Sequence, residues 1–68
     1  MKFKVTINWY GEVHVIYTHA KDANKALNNA CHQLAKLVGY NFGYVKSYVK
    51  DENKNRFNVE VINYGMDN

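Results

Sequence analysis

Hydrophobic and polar residues alternate along the first part of the chain, recur at helical spacing through the middle, and alternate again towards the end. Between Lys2 and Tyr10, the residues Phe3, Val5, Ile7 and Trp9 fall on one side of a period-two pattern. Lys2, Lys4, Thr6, Asn8 and Tyr10 fall on the other. Such alternation predicts a strand with one buried face. Beyond Gly11 the pattern resumes, with Val13, Val15 and Tyr17 set against His14, Ile16 and Thr18. Residues opposite one another across a hairpin share a face. That rule pairs Trp9 with Val13, Ile7 with Val15 and Val5 with Tyr17, around a three-residue loop at Gly11. A two-residue Gly11-Glu12 turn would set Tyr10 opposite Val13 and break the rule.

From Ala20 to Gly39 the spacing changes. Ala23, Ala26, Leu27, Ala30, Cys31, Leu34, Leu37 and Val38 make the stripe of a half-buried helix. Asp22 stands at the N-cap, where its carboxylate can accept from free backbone N–H groups, and Gly39 suits a left-handed stop. Lys25 occupies the place where a capping box would put Glu. The helix is expected from Ala23 to Val38. Its polar side carries Lys21, Asn24, Lys25, Asn28, Asn29, His32, Gln33 and Lys36.

Alternation returns at Tyr44. Val45, Ser47 and Val49 alternate with Tyr44, Lys46, Tyr48 and Lys50. After the polar stretch from Asp51 to Asn55, Phe57, Val59 and Val61 alternate with Arg56, Asn58, Glu60 and Ile62. This predicts a second hairpin pairing Val49 with Phe57, Ser47 with Val59 and Val45 with Val61. Lys46 would then stand opposite Glu60. The expected fold is α+β, of ββαββ type: a four-stranded, mostly antiparallel sheet with one helix packed on one face. A right-handed crossover would order the strands 2-1-3-4. A single domain is expected over residues 1–64, with residues 65–68 as a frayed tail.

Composition narrows the function classes. The 68 residues make one small domain, and the single Cys31 excludes an intramolecular disulfide. No run of 18 apolar residues and no signal peptide is present, so no membrane partner and a cytoplasmic location are expected. A formal charge of +3 favours acidic or phosphate-bearing partners.

Candidate chemistry is sparse. Cys31 and His32 are neighbours on the helix, so their side chains diverge by about 100° and cannot chelate one ion. His14 and His19 are too far apart in the pattern to build a site, Cys31 belongs to the buried stripe, and Ser47 points inward. Asp51 and Glu52 are adjacent on a loop without a facing carboxylate. No catalytic residue, metal or cofactor is expected.

The uncovered sheet face is the expected functional surface. It would display Lys2, Lys4, Tyr10, His14, Ile16, Tyr44, Lys46, Tyr48, Lys50, Arg56 and Ile62. Such a face suits a solvated strand surface, a platform that stacks the bases of single-stranded nucleic acid, or a protein-binding surface. The partner-binding candidates are Tyr44, Lys46, Tyr48, Lys50 and Arg56, with Lys21 and Lys25 of the helix behind them. A symmetric homodimer burying the open face is a further reading.

The segment Val15 to Ala30, VIYTHAKDANKALNNA, resembles one that recurs in small proteins of phages and mobile elements. There a strand ends in Ala, a capping residue comes two positions on, and Ala-rich helix positions pack on the sheet. Ala20, Asp22, Ala26 and Ala30 occupy those places here. Some anti-CRISPR inhibitors look like this. The resemblance implies a compact, non-enzymatic protein that blocks a larger host protein or ribonucleoprotein complex by occupying its surface. The host cytoplasm would then be its location. No binding residue carries over. The alternative is a small basic protein that binds single-stranded nucleic acid on its open sheet face.

Overall fold

The computed structural model describes residues 1–62; the expected domain end at residue 64 and the tail over residues 65–68 lie outside them. The first two strands are β1, Lys2–Trp9, and β2, Glu12–His19. They join through Tyr10 and Gly11, both in the left-handed region with φ of 49° and 89°. A two-residue turn with positive φ at both positions matches the twist of antiparallel strands. The Asn8 side chain secures it by accepting from the Gly11 N–H at 2.8 Å.

This turn overturns the expected three-residue loop. Trp9 stands opposite Glu12, Ile7 opposite His14, Val5 opposite Ile16 and Phe3 opposite Thr18. The register differs by one residue from expectation, so every β2 side chain changes face. His14, Ile16 and Thr18 share the covered face with the buried side chains of β1. Val13, Val15 and Tyr17 lie on the open one. Tyr10 is the cause, because a non-glycine residue with positive φ shortens the loop.

The first helix, α1, runs over Ala23–Val38 as expected. Asp22 caps it, accepting from the Lys25 N–H at 2.9 Å, and Gly39 ends it with φ of 80°. Its buried stripe is Ala26, Leu27, Ala30, Cys31, Leu34 and Ala35. Ala35 replaces Leu37, which is exposed, and Ala23 is exposed as well.

The largest correction comes next. Residues Phe42–Val49 form a second helix, α2, where a strand was expected from Tyr44 to Lys50. Asn41 caps it by accepting from the Tyr44 N–H at 2.8 Å. Val45, Ser47 and Val49 fit a period of two, but Phe42, Val45 and Val49 are spaced by three and four, which is helical spacing. The cap and the packing decide between them. Val45 and Val49 are both fully buried, Phe42 packs against the core, and Ser47 is exposed.

The expected second hairpin therefore does not exist. The last strand, β3, spans Phe57–Ile62 and pairs antiparallel with β1, placing Phe57, Val59 and Val61 opposite Ile7, Val5 and Phe3. Glu60 consequently faces Lys4, at 4.0 Å, and not Lys46. The fold is a small α+β one of β-β-α-α-β order, with a three-stranded antiparallel sheet arranged β2-β1-β3, not the four-stranded sheet with one helix. The core lies between the central strand and both helices. Phe3, Val5, Ile7 and Trp9 meet Ala26, Leu27, Ala30, Cys31, Leu34, Ala35, Val45 and Val49 there. Burial pushes the Cys31 thiol pKa up, and the nearby Lys46 and Lys50 partly oppose this.

Candidate binding surface

The placement of α2 sorts its side chains by angle. At about 100° per residue, Val45 and Val49 point at the core, Tyr44 and Tyr48 fall to one side, and Lys46 and Lys50 to the other. Two separate surfaces result.

On the tyrosine side, α2 meets the β1–β2 turn. Trp9 is buried at the centre, with ring centroids 4.9 Å from Tyr10, 5.6 Å from Tyr40, 6.1 Å from Tyr44 and 5.0 Å from Tyr48. Most of these contacts are edge-on, the arrangement that opposes positive ring edges to negative faces. Tyr10 stacks on Tyr48 at 4.3 Å and 18°. The Tyr10 N–H donates to the Tyr48 hydroxyl at 3.1 Å, and the Tyr10 and Tyr44 hydroxyls are hydrogen-bonded to one another. That bond, then burial and the neighbouring phenols, push the Tyr10 pKa up to about 12.

Arg56 locks the far side of the cluster. Its guanidinium lies 3.8 Å from the Tyr48 ring centroid, donates to the Tyr48 carbonyl at 2.9 Å, and is 3.6 Å from the Asp51 carboxylate. Its charge is thus engaged by Tyr48 and Asp51 within the fold. Tyr10, Tyr40 and Tyr44 are 57%, 54% and 44% exposed. Three partly open phenols are thus held in place around one buried indole.

On the lysine side, a shallow depression of about 290 Å³ lies between the start of α1 and α2. Asp22, Asn24, Lys25, Asn28, Lys46 and Lys50 line it. The Asp22 carboxylate is engaged in capping. Lys46 also lies 5.5 Å from the ring of Phe42, which stacks on His32 at 3.8 Å.

The seven predicted contact residues therefore divide. Tyr44, Tyr48 and Arg56 join the aromatic cluster, and Lys25, Lys46 and Lys50 line the depression. Lys21 precedes the α1 cap and lines neither. None of the seven lies within a strand, so the expected open-face array is not formed. Of its other members, Lys2, Lys4 and Ile62 do share the open face, whereas His14 and Ile16 point to the helix side. Sequence reasoning missed Tyr40 altogether and put Tyr10 on the wrong surface. Both flank a glycine with positive φ, Gly39 and Gly11, and that adjacency was the available signal.

Among the described residues no three His, Cys, Asp or Glu side chains are grouped to hold a metal ion. Among the same residues no helix is long and apolar enough to cross a membrane. No family model, curated protein or solved structure matches this chain.

Proposed function

We propose that this chain is a non-enzymatic binding protein that docks its tyrosine-rich end onto a larger protein and acts by steric occlusion. The observation that carries this reading is the ring of Tyr10, Tyr40 and Tyr44 around buried Trp9. Tyrosines are frequent anchors of protein interfaces. Here, mutual stacking and hydrogen bonding already hold the rings, so less side-chain entropy remains to be lost on binding. The inhibitory role rests on the resemblance to small phage proteins of the anti-CRISPR type, whose targets are larger host proteins or ribonucleoprotein complexes.

The test is affinity capture from host lysate with the wild-type chain and with Tyr40→Ala. Tyr40 contributes ring contacts to Trp9 and Tyr44 but no side-chain hydrogen bond among those of the cluster. The expected result is one stoichiometric protein with the wild type, its recovery reduced at least tenfold with Tyr40→Ala at unchanged circular dichroism. Equal recovery by both, or none by either, contradicts the reading.

A second reading, single-stranded nucleic acid as partner, is favoured by the meeting of Lys25, Lys46 and Lys50 in one depression. Phosphate contacts release counterions, so oligonucleotide affinity should fall steeply as salt rises. No mobility shift at low salt would eliminate it.

A further inference from the structure

We propose that two copies of this chain join along β2, extending the sheet across a two-fold axis; the inference does not depend on the docking of the tyrosine-rich end. Strand β2 is an edge of the three-stranded sheet. The ladder determines which of its main-chain groups face outward. The Asn8 N–H donates to the Arg56 carbonyl at 2.7 Å, so even-numbered residues of β1 bond towards β3. Antiparallel ladders alternate, so its odd-numbered residues bond towards β2, through their partners Glu12, His14, Ile16 and Thr18. The reciprocal bonds between Met1 and Ala20, at 2.9 and 3.0 Å, obey the same parity. The N–H and C=O groups of Val13, Val15 and Tyr17 therefore point away from the sheet.

This open stretch is bounded at both ends. The Tyr10-Gly11 turn closes one. At the other, the His19 carbonyl already accepts from the Asn29 side chain at 3.2 Å. The three side chains between are apolar in body and 65%, 46% and 52% exposed. Natural edge strands are kept apart by lysines, prolines or bulges. From Glu12 to His19 there is no lysine, arginine or proline, and the pairing with β1 runs unbroken.

Charge also favours a second copy. Glu12 stands at one end of β2, while Lys21 follows the other. Antiparallel association brings the acidic end of each copy beside the basic end of its mate.

The register is then determined. Opposed residues must share a face and use outward main-chain groups, which sets Val15 opposite Val15 and Val13 opposite Tyr17 of the second copy. Each such pair exchanges two main-chain bonds, so the junction gains about six hydrogen bonds. A shift by two residues would draw on the turn at Gly11 or on the occupied His19 carbonyl. The product is a six-stranded sheet with the helices of both copies on one side.

Sedimentation equilibrium over a range of protein concentrations tests this. The mass should rise with concentration from 7.9 kDa to twice that value. Val15→Lys puts two ammonium groups face to face on the axis and should hold the chain at the monomer mass, with unchanged circular dichroism. Val15→Thr and Tyr40→Ala should both still dimerise. Amide exchange of Val13, Val15 and Tyr17 should slow as the dimer fraction grows, a readout specific to this register. A monomer mass at every concentration, or a dimer that survives Val15→Lys or is lost with Tyr40→Ala, overturns the proposal.

Discussion

Tyr10 does several jobs at once: it turns the hairpin, stacks on Tyr48 and shares a hydrogen bond with Tyr44. Its pKa, raised from 10.0 to about 12, ties stability to alkaline pH. Between those values the folded chain holds a proton that the unfolded chain has lost, so this contribution is complete below pH 10 and disappears as pH rises towards 12. A spectrophotometric titration should therefore find one tyrosine ionising late, with thermal stability falling over the same window. Tyr44→Phe should remove the late step. Trp9→Ala would empty the centre of the cluster at a cost of about 3–5 kcal/mol. That is comparable with the total stability of a domain this small, so the variant should lack a cooperative melting transition by circular dichroism. The inward position of Trp9 was legible from the alternation of β1. The ring of tyrosines about it was not, because its members come from the turn, the α1–α2 link and α2, which only the tertiary fold brings together.

Among the elements, β1 and α1 were legible for different reasons. β1 alternates without interruption from Phe3 to Trp9, and α1 carries its own start and stop in Asp22 and Gly39. α2 was not, because Val45 and Val49 satisfy both a strand and a helix, and eight residues are too few for periodicity to decide. Asn41 was the signal, a side chain able to cap a helix beginning at Phe42. Asn41→Ala should cost about 1 kcal/mol, read as a lower midpoint in urea denaturation. Gly39→Ala should cost a similar amount, about 1 kcal/mol. There the loss is conformational alone, since a Cβ at Gly39 would meet nothing within 4 Å. The β1–β2 register was misjudged because Tyr10, not glycine alone, takes a positive φ. One residue of difference then moved Val13, Val15 and Tyr17 to the open side.

At the scale of the molecule, the reassignment of α2 moves the candidate contact surface from the open sheet face to the region where α2 meets the β1–β2 turn. A four-stranded sheet would have spread Tyr44, Tyr48 and the lysines over a flat face. The helix instead divides them, gathering tyrosines about Trp9 on one flank and lysines beside α1 on the other. Docking through the tyrosine flank, salt-sensitive binding in the lysine depression and edge pairing along β2 use three different surfaces, so their variants should act independently. The first two depend on α2 being a helix, and the first on its tyrosines reaching the hairpin turn. Proton NMR of the chain in solution tests that arrangement most directly. The account predicts sequential amide–amide contacts from Phe42 to Val49 and cross-peaks from the Trp9 indole to the rings of Tyr40 and Tyr48. Strand-type contacts between Tyr44 and Ile62, with the Trp9 indole silent towards every tyrosine, would contradict it.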